Sequence, residues 1–179
     1  MPVIRAYHAV TERPMAPGQR IIFDKEHVSG VYRRVMEKLP LVQDVYTRPE
    51  LYRAEEIEHH LSVALRELAM EEVRRSEFPQ YPSRMASLYV SATLAEAEEW
   101  FAFFRRLGRP TYQIVQVKSE GRCFAGDAEL CFRGTTDREE NIRLARLYWL
   151  SPAVPGKTKI TEMLIDGLIE VTAVLKEAD

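Results

Sequence analysis

The 179-residue sequence predicts an α+β fold. Three observations carry that prediction. Runs rich in β-branched and aromatic residues lie near both ends, as VIRAYHAV and KITEMLIDGLIEVTAVL. Three Thr-x-x-Glu boxes precede stretches of helical apolar spacing in the middle. The resulting order is strands, helix, strand, helix and then mostly strands, unlike a repeating βαβ layout.

Taken along the chain, VIRAYHAV reads as a first strand. RPMAPG follows as a loop and QRIIFD as a second short strand. Residues 24–46 have no clear pattern, although VSGVYRRVMEKL places Val31, Val35 and Leu39 at helical spacing. The first box, Thr47-Arg-Pro-Glu50, predicts a helix with Ile57, Leu61, Ala64, Leu65, Leu68 and Val73 on one stripe, stopping before Pro79. SLYVS is a strand. The second box, Thr93-Leu-Ala-Glu96, opens a helix with Ala97, Trp100, Phe101, Phe104 and Leu107 inward, ended by Gly108 and Pro110. YQIVQVK, GRCF and AELCF read as strand. The third box, Thr136-Asp-Arg-Glu139, opens a helix with Ile142, Ala145 and Trp149 inward and Pro152 beyond. In the closing segment Asp166-Gly167, between two apolar runs, predicts a hairpin turn.

The bulk numbers exclude several classes. The length fits one domain, 1–179. A net charge of −2 gives neither the basic footprint of a nucleic-acid binder nor a polybasic membrane anchor. No apolar run approaches the ~20 residues of a membrane span, and MPVIRAYHAV has no secretory h-region. A cytoplasmic protein is expected. Cys123 and Cys131 match no metal or redox spacing and read as small apolar residues near one sheet. His59-His60 belongs to a single E-x-x-H and reads as a solvated helix face, so no metal site is expected. No dinucleotide fingerprint, P-loop or nucleophile elbow is present. The helix stripes serve a core or an interface equally well, which leaves the oligomeric state open.

A few residues remain as candidates. His8 shares a strand face with Ile4, Ala6 and Val10, either as a core histidine or as a ligand contact. Tyr89 alternates onto the same face as Ser87 and Ser91, either as a rim aromatic or as a platform for a planar ligand. Glu162 enters the last apolar run, either as a solvated strand-end acid or as a functional carboxylate. Arg84, in a Pro-rich loop, is a surface arginine or a phosphate contact.

In order, YHAVT around His8, LYVSATLAEAEEWF around Tyr89 and ITEMLIDGLIEV around Glu162 resemble the H-Y-E arrangement of ADP-ribosyltransferases. Within that superfamily the chain looks closest to a small bacterial family of uncharacterised function. The resemblance implies a split β-sheet core with flanking helices that holds NAD as substrate. It implies that His8 hydrogen-bonds a ribose, Tyr89 stacks on nicotinamide and Glu162 stabilises the ribosyl cation as nicotinamide leaves. Ser91 and Arg84 complete the expected NAD-contacting set. Two departures stand out. Ala9 replaces the Gly that many members carry after the His, and Ile160 replaces the acid or Gln of the arginine-modifying branch. The expected activity is transfer of ADP-ribose to an unknown acceptor. The alternative is a non-catalytic nucleotide- or partner-binding module on the same fold.

Overall fold

The structure, a computed structural model, describes residues 2–179. Its strands are β1 (Ile4–Val10), β2 (Arg20–Ile21), β3 (Leu88–Val90), β4 (Gln113–Ser119), β5 (Cys123–Asp127), β6 (Thr161–Ile165) and β7 (Ile169–Glu177). Its helices are α1 (Gly30–Glu37), α2 (Leu39–Thr47), α3 (His59–Glu77), α4 (Leu94–Arg106) and α5 (Arg138–Leu150). The fold is α+β, as expected. No helix among the described residues is long and apolar enough to cross a membrane.

The chain forms two compact units. One is built from residues up to Asp24, Ser87–Ala125 and Glu162–Asp179, and the other from Lys25–Ala86 and Gly126–Thr161. The first holds the strands in two sheets, ordered β1-β4-β7-β2 and β3-β6-β5. Alternation along each strand explains its core. Ala6 and Val10 of β1 meet Val115 and Val117 of β4, Val171 of β7, Leu88 and Val90 of β3, and Met163 and Ile165 of β6 in one apolar cluster. The other face of β1 presents Tyr7 and Ala9 to Ala97 and Phe101 of α4.

The second unit is helical. Its core joins Val35 of α1, Val42 and Val45 of α2, and Leu61, Ala64 and Leu65 of α3. Buried Trp149 of α5 donates its indole N–H to the Met70 carbonyl at 2.9 Å.

Several sequence expectations need correction. Asp166-Gly167 does not close a hairpin, because β6 pairs with β3 whereas β7 pairs with β4. The two residues instead form the corner where the chain leaves one sheet for the other. The Asp166 carboxylate accepts from the Arg122 backbone at 2.6 Å and its guanidinium at 2.8 Å. Its carbonyl accepts from Ser119 Oγ at 2.5 Å. Gly167, at φ +79°, lies so close to Gly121 that a Cβ on Gly121 would stand 2.1 Å from the Asp166 carbonyl oxygen.

The Thr47 box opens no helix. Thr47 is the last residue of α2 and donates its hydroxyl to the Gln43 carbonyl at 2.7 Å. The following helix starts twelve residues later, capped by Glu58. The third helix is capped by Asp137, one residue beyond Thr136. AELCF is no strand, since Ala128–Leu130 is a short 3-10 turn. Leu107 is exposed, just past the end of α4. The Thr93 box does cap α4, with Thr93 Oγ1 accepting from the Glu96 amide at 3.2 Å.

Candidate functional site

The edge strands of the two sheets, β1 and β3, meet at a single bridge. Tyr7 and Ser91 exchange both backbone hydrogen bonds, at 2.9 and 2.7 Å. In an antiparallel ladder the next such pair would be Ala9 with Tyr89. It is not formed. The His8 imidazole occupies the gap, and its Nδ1–H donates to the Tyr89 carbonyl at 2.7 Å. A carbonyl only accepts, so Nδ1 must carry a proton, and in the neutral ring Nε2 is left as an acceptor.

Burial holds the His8 imidazole below its ordinary value of 6.5, against the opposing effects of the Tyr89 carbonyl and Glu12. The Arg109 guanidinium pushes in the same direction as burial. His8 is therefore neutral at pH 7.

Glu162 lies on β6, the strand that pairs with β3. Tyr89 is paired with Leu164, and Val90 with Met163. Leu88, Val90, Met163 and Ile165 turn to the apolar core. Tyr89 and Glu162 therefore share the opposite face, as diagonal neighbours about 7–8 Å apart along the ladder. Both side chains are half-buried, whereas Ser91 is buried. Ser87 Oγ, also buried, has no hydrogen-bond partner among the described residues.

Four of the five expected residues thus lie in one unit, with Tyr89 and Glu162 on the face away from the core that Ala6 and Val10, the strand-face neighbours of His8, join. Arg84 lies in the helical unit. It is 4 % exposed and donates to Glu67 from Nε at 2.8 Å and to the Tyr148 hydroxyl from Nη1 at 2.6 Å. Ala9 directs its methyl group to Ala97, Phe101 and Ile114 under α4. The missing glycine therefore puts no Cβ on the His8 face.

Sequence reasoning missed Arg109 and Glu12, which act electrostatically on His8. Arg109 follows the glycine that ends α4, and its guanidinium lies 4.8 Å from the Phe104 ring centre. The only sequence signal was the cationic run Arg105, Arg106 and Arg109, which also suits a helix C-terminus.

Among the described residues no cluster of three or more His, Cys, Asp or Glu side chains is arranged to hold a metal ion. No curated protein matches the chain. A family model described as a protein of unknown function (DUF2441) matches residues 6–177, and the chain belongs to that family.

Proposed function

We propose that this chain is an NAD-consuming transferase of the ADP-ribosyltransferase type, which moves ADP-ribose to an acceptor and releases nicotinamide. The observation that carries the reading is the His8 contact with the Tyr89 carbonyl, beside a β3–β6 pair that sets Tyr89 and Glu162 on one face. The two sheets joined by one bridge are what a split-sheet NAD cleft would need.

In this reading each residue has a physical role. The neutral His8 accepts a ribose hydroxyl at Nε2. The Tyr89 ring offers a flat apolar surface to nicotinamide and fixes the sugar for attack. Cleaving the glycosidic bond builds positive charge on the ribose, and the Glu162 carboxylate stabilises that charge more in the transition state than in the ground state. Arg109 supplies a cation for the diphosphate, beside the expected Arg84 contact.

The test is nicotinamide release from NAD by the wild type and Glu162→Gln. A fall of about 10²–10³ in turnover is expected, with NAD affinity changed much less. Equal turnover in the two proteins would overturn the role of Glu162. Calorimetry separates the alternative: NAD binding without turnover in the wild type favours a non-catalytic binding module.

A further inference from the structure

Helix α4 lays one side on the strands and leaves the other to solvent. Ala97 and Phe101 are buried against Ala9 of β1 and Ile114 of β4, whereas Ala95, Glu99, Ala102, Phe103 and Arg106 are exposed. At about 100° per residue those five fall on one side of the helix, opposite Ala97 and Phe101. Phe103 is 39 % exposed, with the Trp100 and Phe104 ring centres 5.7 and 6.0 Å from its own. Three rings that hold one another in place make a rigid apolar anchor.

Charge is segregated along this face. Glu99 and Arg106 form no ion pair among the described residues. The Arg106 guanidinium lies 5.9 Å from the Phe103 ring centre. Within one helix the two charges cannot meet, because side chains interact three or four residues apart and these are separated by seven. Yet that spacing keeps them on nearly one line, displaced by only about 20°. The helix dipole favours an arginine in the last turn. It does not explain Glu99, the sixth residue of α4 and beyond the first turn.

We propose that this face joins two copies of the chain, with their α4 helices packed antiparallel about a two-fold axis between Ala102 and Phe103. The occupant follows from charge and symmetry. A second α4 running the opposite way sets Glu99 of each copy beside Arg106 of the other, so both charges are matched, and each match occurs twice. A parallel arrangement would set like against like. An anionic membrane would match Arg106 but repel Glu99 on the same face. The two-fold axis also brings the two Phe103 rings together at the centre of the contact, where aromatic anchors contribute most. Ala95 and Ala102 carry nothing beyond Cβ to hold the helices apart. The interface uses none of His8, Tyr89, Glu162 and Arg109, so it does not rest on the NAD reading.

The test is sedimentation velocity of the full chain over a range of concentrations. The wild type should shift from monomer to dimer as concentration rises. Glu99→Arg and Arg106→Glu each turn two attractive pairs into two repulsive ones, and each should raise the dimer Kd at least about tenfold. Mixed in equal amounts, the two variants should form a heterodimer, because each copy then supplies the charge that the other lacks. A variant that had merely misfolded would not be rescued by mixing. A dimer that survives Glu99→Arg overturns the proposal, as does a mixture no more dimeric than its components. So does a wild type that stays monomeric at every concentration. If that monomer sediments with phosphatidylserine vesicles and Arg106→Glu does not, the face belongs to a membrane instead.

Discussion

His8 joins two jobs in one side chain. It supplies the donor that the Tyr89 carbonyl would have found in a continued ladder, and it leaves Nε2 as an acceptor, the atom to which the proposal assigns a ribose hydroxyl. Its lowered pKa gives the sign of the pH dependence. A group depressed in the folded state contributes stability fully above its unfolded value of 6.5, and that contribution is lost as the pH falls through the folded value. Nicotinamide release should therefore persist at pH 6.5 and decline only at more acidic pH. In a kcat/KM profile His8→Gln should abolish that acid limb, since an amide can still donate to Tyr89 but does not titrate. By contrast, His8→Ala removes the side-chain donor to the Tyr89 carbonyl and should cost about 1–3 kcal/mol in urea denaturation. An unchanged midpoint would show that the carbonyl finds water instead.

At the scale of elements, legibility in the sequence followed the range of the interaction. Thr93 capped the predicted helix because a capping bond spans only three residues and needs nothing else. Thr47 offered the same four-residue pattern, but the preceding turn of α2 captured its hydroxyl through Gln43 and Pro49 closed off that helix. Asp166-Gly167 misled for a different reason. Gly167 takes a positive φ but Asp166 does not, and which strands pair is decided by partners far away in sequence. The corner can be tested. Gly121→Ala would drive a methyl group into the Asp166 backbone and should destabilise the protein by about 1–3 kcal/mol or more, measured by thermal or urea unfolding. In the helical unit Glu67→Gln removes the charge shared by two guanidiniums and should cost about 3–5 kcal/mol in the same assay. Nothing in the sequence flagged Glu67, because its position on the buried side of α3 depends on Arg84 arriving from another segment.

Over the whole molecule, the order of elements was readable but the interleaving was not. The helical unit combines Lys25–Ala86 with Gly126–Thr161, so α3 finds its partner α5 only after the chain has built most of the strand-rich unit. A fragment spanning residues 25–86 should therefore lack a cooperative thermal transition, while the same fragment linked to 126–161 should regain one by circular dichroism. A sharp transition in the shorter piece would show that α5 is dispensable to that core. The candidate site was legible as three residues in order, His8, Tyr89 and Glu162, because each sits in a strand whose alternation is visible locally. Arg109 was not, because it acts from the loop after a helix and carries no pattern of its own.

The pairing of β2 with β7 has a consequence for biosynthesis. Arg20 and Ile21 hydrogen-bond to Glu170 and Ile169, and β1 must wait for residues 113–119. As the nascent chain emerges from the ribosome, β1 has no paired strand until translation has passed residue 119, and β2 none until it has passed residue 170. The early segment is thus an unprotected edge for most of its synthesis, open to pairing with other chains. Folding of the strand-rich unit is a late event in translation, set by the arrival of its last strand.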